Sequence, residues 1–269
     1  HLRRFRSGPV QLPRLLVAHD NRVYAPLGED NILKSMNAAT GEILQSYQQT
    51  KGVEELIVNR GVIYAVTGKP VPEQMVSREK WLKKNHEDIK TYPNQKTIKA
   101  FQSETGKQLW KWSDSSNSRY IPLTLAATGD HMFFRTERKI FCLDQHTGRI
   151  NWSSSGRPAE KPRDQPLRIP GWSVASLLVE DGVALSAYRG ALTALEQQTG
   201  NILWRCPCEH GFHSPPDIMA INGEVWIGGH WPGSVRGRYG DIPFSQARDL
   251  QTGKLLKSNS IVPKLWTAG

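Results

Sequence analysis

Residues 141–152 read FCLDQHTGRINW, and the same pattern returns four more times along the chain. The other copies are KSMNAATGEILQ (34–45), KAFQSETGKQLW (99–110), TALEQQTGNILW (193–204) and QARDLQTGKLLK (246–257). A glycine in this setting can adopt the positive φ that closes a tight hairpin, and a polar side chain four residues earlier can bond the turn's backbone amides. The sequence therefore predicts five hairpins of one design, closed by Gly41, Gly106, Gly148, Gly200 and Gly253.

A second hairpin precedes each Thr-Gly pair. It consists of a polar turn followed by a β-rich run, as in VNRGVIYAV (58–66) and VEDGVALSA (179–187). Each repeat thus has four short antiparallel strands; LTLA (123–126), for example, is predicted to be the first strand of the third repeat. The Thr-Gly glycines are 42 to 65 residues apart, and such a period is typical of propeller blades.

The repeats predict the domain organisation. We expect a single all-β domain over residues 1–269, with repeats at 14–48, 54–113, 123–153, 174–206 and 218–258. An insertion at 68–96, with a helical pattern over 73–89, accounts for the longest step. The predicted fold is a β-propeller of four-stranded antiparallel blades, of which five are visible as an incomplete arc of a seven- or eight-bladed ring.

The spacing of an acidic residue, Thr-Gly and Trp resembles the repeat of pyrroloquinoline-quinone-type propellers, the quinoprotein alcohol dehydrogenase-like family. Trp110, Trp152 and Trp204 occupy its tryptophan position, whereas the first and last repeats carry Gln45 and Lys257 there. The resemblance implies a tryptophan-docking motif, in which each Trp packs between neighbouring blades. The alternative is that these large aromatic side chains simply fill the core between the sheets.

Three further segments resemble large bacterial exported propeller proteins: RSGPVQLPR ending at Arg14, GFHSPPD at 211–217 and LWTAG at 265–269. This resemblance implies a periplasmic or otherwise extracytoplasmic location. The chain starts at His1 without a signal peptide, and we expect it to be a processed form or a piece of a longer protein.

The same family resemblance implies a cofactor site that this sequence does not reproduce. Quinone-dependent relatives hold the quinone on the propeller axis over a Trp, with calcium and a disulfide between adjacent cysteines. Here the cysteines of Cys206-Pro207-Cys208 are separated, and five repeats fall short of eight blades. We therefore interpret the chain as a non-catalytic binding or scaffold module, with no catalytic residue assigned. The alternative is a quinone- or metal-dependent oxidoreductase domain completed by sequence outside this chain.

The segment CPCEHGFH holds the densest group of soft metal ligands. Cys206, Cys208, His210 and His213 are a donor set that zinc or copper accepts, although their spacing matches no familiar structural zinc motif. In the alternative interpretation, Cys142 forms a disulfide with a cysteine at a blade edge and the histidines are exposed.

A glycine-rich loop, GGHWPGSVRGRYGD at 228–241, interrupts the fifth repeat. His230, Trp231, Arg236 and Arg238 are candidates for contacting a sugar, an anion or a protein through aromatic and cationic groups. The alternative is an ordinary long hairpin. If the chain binds a ligand, we expect the site in this loop and in residues 206–217.

The charge of the chain and its distribution limit the classes of partner that we expect it to bind. Lys and Arg total 35 against 25 Asp and Glu, a formal net charge of +10. The basic residues are interspersed with acids and prolines, as in solvated loops, and this disfavours nucleic acid. No apolar run reaches the ~18 residues of a transmembrane helix. We expect a protein partner, together with the remaining blades or domains of a longer chain.

Overall fold

A computed structural model describes residues 15–28, 32–68, 95–115, 118–155, 175–188, 190–208, 218–228 and 245–259 of the chain. Apart from a 3-10 turn at Gln48–Thr50, the regular structure in these ranges is entirely β. The strands form five four-stranded antiparallel sheets with neighbours in chain order. This confirms the predicted fold class, an all-β set of propeller blades.

The strand bounds are as follows. Sheet 1 contains β1 (Val17–His19), β2 (Arg22–Leu27), β3 (Ile32–Asn37) and β4 (Ile43–Tyr47). Sheet 2 contains β5 (Val53–Asn59), β6 (Val62–Thr67), β7 (Thr97–Gln102) and β8 (Gln108–Ser113). Sheet 3 contains β9 (Ala126–Thr128), β10 (His131–Arg135), β11 (Ile140–Asp144) and β12 (Ile150–Ser154). Sheet 4 contains β13 (Ser176–Glu180), β14 (Val183–Tyr188), β15 (Ala191–Glu196) and β16 (Ile202–Pro207). Sheet 5 contains β17 (Ile218–Ile221), β18 (Glu224–Gly228), β19 (Ser245–Asp249) and β20 (Leu255–Asn259).

The antiparallel order gives the arc two different ends. At the turn end lie the hairpins between the first and second strands and the five Thr-Gly turns. At the connection end lie the hairpins between the second and third strands and the chain segments that lead from sheet to sheet. First strands of neighbouring sheets contact each other, as β1 does β5 and β5 does β9, so they lie innermost. The fourth strands form the perimeter.

The sheets are held together by apolar clusters between neighbours. Leu33 and Leu56 belong to the cluster between sheets 1 and 2, and Met132 to the one between sheets 2 and 3. Leu195 and Val225 belong to the clusters between sheets 3 and 4 and between sheets 4 and 5. Within the described ranges, no such cluster joins sheet 5 to sheet 1.

The first strand of sheet 3 differs from the prediction. LTLA at 123–126 was expected to be extended, but β9 begins only at Ala126. Leu123 has a φ of +61°, a left-handed conformation that leucine seldom adopts. The buried carboxylate of Glu55 accepts hydrogen bonds from the amides of Leu123 and Leu125, at 2.7 and 3.2 Å, and thereby stabilises this irregular segment.

Candidate functional site

All five Thr-Gly turns are closed by a hydrogen bond from the glycine amide to the carbonyl four residues earlier. In sheet 3, Asp144 Oδ1 accepts hydrogen bonds from the Thr147 amide at 2.8 Å and from the Thr147 hydroxyl at 2.7 Å. These bonds, that of the hydroxyl first, hold the pKa of Asp144 below its usual value. Gly148 follows with a φ of +68° and donates its amide to the Asp144 carbonyl at 3.0 Å. The turn therefore presents a glycine, without a Cβ, toward the preceding sheet.

A tryptophan of the preceding sheet lies against that glycine in three junctions. A Cβ on Gly148, Gly200 or Gly253 would lie 2.5 to 2.6 Å from a ring atom of the facing tryptophan. Each indole Nε1 also donates a 2.8 Å hydrogen bond to a backbone carbonyl three residues before the glycine. The donor–acceptor pairs are Trp110 with Gln145, Trp152 with Gln197, and Trp204 with Leu250.

At the junction between sheets 1 and 2, two residues make the contacts that a single tryptophan makes elsewhere. Gln45 replaces the tryptophan and covers Gly106. Tyr47, two residues further on the same face of β4, donates its hydroxyl to the backbone carbonyl of Ser103, three residues before the glycine. Burial raises the pKa of Tyr47 to about 12, so the phenol remains a donor at ordinary pH.

At the connection end, buried polar groups tie sheet 2 to sheet 3. Glu55, with 2% of its surface exposed, lies on the innermost strand of sheet 2. Its carboxylate accepts the hydroxyl of Tyr120 as well as the amides of Leu123 and Leu125. Burial, and then the nearby Glu55 carboxylate, raises the pKa of Tyr120. The phenol therefore stays protonated and keeps donating to Glu55.

A second contact ties sheet 3 to sheet 4. The buried guanidinium of Arg135 donates from Nη1 to the Ser186 hydroxyl at 2.9 Å and lies 4.2 Å above the ring centroid of Tyr188. Because a guanidinium over an aromatic face is attracted by the ring quadrupole, this arrangement stabilises the buried charge.

Asp114 fixes the segment between sheets 2 and 3. Its carboxylate accepts the amides of Lys96 at 2.9 Å and of Tyr120 at 2.6 Å. Burial raises the pKa of Asp114, although these hydrogen bonds oppose the shift. Lys96, 3% exposed, forms an ion pair with Glu54. At the connection end, sheets 2 to 4 are therefore joined by buried, hydrogen-bonded side chains.

The predicted cysteine ligands lie between sheets 4 and 5. Cys206 and Cys208 are both buried in the apolar cluster that also contains Val225 and Ile227. Burial raises the pKa of the Cys206 thiol, although Arg248 opposes the shift. A raised pKa disfavours the thiolate that a metal requires. Cys142 lies in a different cluster, between sheets 3 and 4, as a free thiol whose pKa burial raises to about 12. The disulfide considered for Cys142 is therefore not formed.

The remaining candidate residues lie outside the described ranges. His210 and His213 fall in 209–217, and His230, Trp231, Arg236 and Arg238 fall in 229–244. Within the described residues, no group of three or more His, Cys, Asp or Glu side chains could hold a metal. The strands that lead into these segments, β16 and β18, both end at the connection end. The metal site and the ligand loop stay predictions.

The described residues do not fit the quinone and calcium that the family resemblance implies. Cys206 on β16 and Cys208, one residue beyond its end, are separated by Pro207 and lie in the apolar cluster with sheet 5, so they do not reproduce the pair of adjacent cysteines. The Glu55 carboxylate, on the innermost strand of sheet 2, already accepts hydrogen bonds from two backbone amides and a phenol. No step of chemistry is therefore assigned to that cofactor.

Sequence reasoning missed Glu55, Arg135 and Tyr47. Glu55 and Arg135 are charged residues inside strongly apolar strands, VEELIVN and HMFFR, and such a charge is itself a sign of a buried partner. Tyr47 is the aromatic residue nearest to the missing tryptophan on the same strand face. Their partners are 51 to 70 residues away, and no local pattern identifies them.

The fold and the repeated indole contacts define a propeller of the pyrroloquinoline-quinone type. The sequence model of the family described as "Outer membrane protein assembly factor BamB" matches residues 94–263. The chain belongs to this family. BamB of Yersinia pestis is 25% identical over 117 residues, which are 40% of this chain and 26% of that protein.

Solved structures show the same fold at low identity. The designed protein Ika8 matches with a TM-score of 0.57 and 16% identity, covering 92% of this chain and 61% of its own. BamB of Moraxella catarrhalis matches with 0.52 and 13%, covering 91% and 60%. The quinohemoprotein alcohol dehydrogenase ADHIIG of Pseudomonas putida HK5 matches with 0.57 and 12%, covering 96% and 44%. The chain thus spans about a quarter of the curated relative and less than two thirds of these structures.

Across the described ranges, no helix is long and apolar enough to span a membrane.

Proposed function

We propose that the chain is a non-catalytic protein-binding or scaffold module of an exported bacterial protein, acting in the periplasm. Its family is described as an outer membrane protein assembly factor, which supports both a protein partner and this location. The resemblance to a quinohemoprotein dehydrogenase concerns the fold alone, and the oxidoreductase alternative rests on that resemblance.

The connection end is the proposed binding surface. The strand ends from which the chain passes to the next sheet, or from a second to a third strand, all lie there. Beneath them, Glu55, Asp114 and Arg135 hold sheets 2 to 4 in a fixed relation. Variable loops on a rigid support are the usual arrangement of a binding surface. The turn end, by contrast, repeats one turn five times.

We also propose that further blades complete the ring. Among the described residues, none lies within 4 Å of a Cβ built on Gly41, whereas the other four Thr-Gly glycines are covered by the preceding sheet. A blade that precedes sheet 1 would supply the missing side chain. An experimental structure in which sheet 1 packs directly on sheet 5 around one axis would contradict this proposal.

Site-specific photo-crosslinking in cells tests the binding surface. A photoreactive amino acid is placed in the full protein at Lys139, exposed in a connection-end hairpin, or at Thr199, exposed in a turn-end hairpin. We expect a periplasmic protein to crosslink at position 139 and not at position 199. Crosslinks confined to position 199, or equal at both, would contradict the proposal, as would a cytoplasmic location of the protein in cell fractions.

A further inference from the structure

Two lysines face each other on the two outer strands of sheet 2. Lys99 on β7 and Lys111 on β8 are direct cross-strand partners. Their neighbours Ala100 and Trp110 pack against sheet 3, so the lysines lie on the opposite face, which is turned toward sheet 1. Like charges directly opposite each other on a sheet are destabilising. The pair therefore calls for a compensating contact.

The Lys99 ammonium is held close to the sheet. Its Nζ donates to the backbone carbonyl of Gln49, in the turn that leads from sheet 1 to sheet 2. Burial, and then the charge of Lys111, lowers the pKa of Lys99. No ion pair between described residues includes Lys99 or Lys111. The Gln49 carbonyl is a neutral acceptor, so it does not cancel the charge of Lys99.

A pair of hydroxyl groups extends the same surface. Thr97 and Ser113 are cross-strand partners two residues from the lysines, on the same face, and their hydroxyl oxygens are 3.2 Å apart. Rows two residues apart on a strand are separated by roughly 6.6 Å. Two ammonium groups and two hydroxyls thus form a four-donor cluster, defined by Lys99, Lys111, Thr97 and Ser113.

The neighbouring sheet shows that packing does not require lysines here. In sheet 3 the equivalent positions, seven residues before and five after the Thr-Gly glycine, hold Phe141 and Ser153. Phe141 is buried and lies 6.3 Å from the ring of Trp112, between centroids. Sheet 2 has two cations where sheet 3 has an apolar contact. Sheets 1 and 4 carry a single cation at this pair of positions, Lys34 and Arg205, so two facing lysines distinguish sheet 2 among the described sheets.

We propose that the four-donor cluster binds an acidic segment of a partner protein in an extended conformation. Carboxylates two residues apart on an extended chain project to one side with the same spacing of roughly 6.6 Å as the two donor rows. A carboxylate over the lysine pair removes the repulsion between Lys99 and Lys111 through charge-assisted hydrogen bonds. This inference rests on the proposed function, because it states the chemistry of the partner.

Fluorescence anisotropy with a labelled peptide of alternating glutamate and serine, added to the full protein at low salt, tests the inference. The Lys99→Met/Lys111→Met variant is expected to bind at least ~10-fold more weakly, about 1.4 kcal/mol. The control Lys107→Met/Lys254→Met removes the same charge from exposed positions after two Thr-Gly turns, and its binding is expected to be unchanged. Equal losses in both variants would mean that net charge alone attracts the peptide, and the inference would be wrong.

Two additions exclude trivial explanations. Lys99→Arg/Lys111→Arg keeps both charges and is expected to retain binding. An unchanged melting temperature of the Lys99→Met/Lys111→Met variant excludes misfolding as the cause of its loss. Inorganic phosphate is expected to compete only at concentrations far above those of the peptide. If phosphate saturates the cluster and the peptide does not bind, the cluster holds a free oxyanion and the inference is overturned.

The two levels of proposal fail separately. If crosslinking at position 139 persists while peptide binding is indifferent to the lysine variants, the acidic-segment inference is wrong and the protein-binding function stands. If the wild-type protein gives no crosslinked partner at the connection end, the proposed function itself is wrong.

Discussion

The junction between sheets 1 and 2 and the junction between sheets 3 and 4 perform the same task with different side chains. In the latter, Trp152 both covers Gly200 and donates to the Gln197 carbonyl. In the former, the two jobs are divided, since Gln45 covers Gly106 and Tyr47 supplies the donor.

The comparison shows which part of the contact is indispensable. All four junctions place a hydrogen-bond donor of the fourth strand on the carbonyl three residues before the next Thr-Gly glycine. Large aromatic cover on the glycine is present in three of them. A buried carbonyl without a donor is costly, whereas a flexible Gln side chain is an adequate cover for a turn near the surface.

The largest difference is expected from truncating the cover. Trp152→Ala should lower the free energy of unfolding by about 3–5 kcal/mol, since it deletes a buried large aromatic. Gln45→Ala should cost about 1 kcal/mol or less, because Tyr47 keeps the donor. Lys257→Ala, at the same repeat position but 56% exposed, should cost within about 0.5 kcal/mol. Denaturant unfolding measures all three, and equal losses at Trp152 and Lys257 would remove the basis for the comparison.

A methyl group on the glycine probes the contact from the other side. Gly41→Ala should cost about 1–2 kcal/mol from its positive φ alone, because the described residues leave its Cβ direction open. Gly200→Ala has a φ of the same sign and a Cβ that meets the Trp152 ring, so it should cost about 1–3 kcal/mol more. The difference between the two melting curves is the measurement. No difference would mean that the indole does not lie on Gly200.

Removing the donor while keeping the ring sharpens the comparison further. Tyr47→Phe and Trp152→Phe each leave a carbonyl without its donor, and each should cost about 1–2 kcal/mol. Trp152→Phe also loses part of its ring, so Tyr47→Phe is the cleaner variant. A neutral Tyr47→Phe would show that the phenol bond to Ser103 is not needed.

The smallest expected effect is on the pH dependence of stability, to which a turn with Asp contributes and a turn with Asn does not. Hydrogen bonds from the Thr147 hydroxyl, and then from the Thr147 and His146 amides, hold the pKa of Asp144 below its usual value. The stabilisation that the Asp144 carboxylate contributes is therefore present above about pH 4 and is lost as pH falls through its lower folded pKa. Asn37 accepts the equivalent amide bonds in sheet 1 and does not titrate. Asp144→Asn should therefore flatten the acid limb of the stability curve. An unchanged acid limb would contradict the assignment.

The features that the sequence predicted correctly are those that depend on residues close together in the chain. Thr-Gly turns and their preceding hairpins are short-range patterns, so the five sheets and the degraded first and last repeats could be located in advance. The bonds of Tyr47 to Ser103 and of Glu55 to Tyr120 depend on which sheet packs on which, over 56 and 65 residues. The bend at Leu123 follows from that same Glu55 contact, and strand propensity alone predicted an extended segment there.

The candidate site was predicted less completely than the fold. The strands β16 and β18, which lead into the candidate loops, end at the connection end, but soft ligands at alternate positions of the sequence do not reveal which side of a strand is buried. Cys206 and Cys208 face the apolar junction with sheet 5. Donor type alone therefore suggested a metal where packing also accounts for the residues.

Proton exchange at the indole nitrogens tests most directly whether a donor from each sheet locks it to the next. Trp226 lies on the face of β18 turned away from sheet 4, because its neighbours Val225 and Ile227 face that sheet. In the full protein labelled with 15N-tryptophan, the Nε1 protons of Trp110, Trp152 and Trp204 should exchange slowly, and more slowly than that of Trp226. Their protection should fall together with global stability in denaturant, because each bond breaks only when its junction opens. Exchange of these three protons as fast as that of Trp226 would contradict the account.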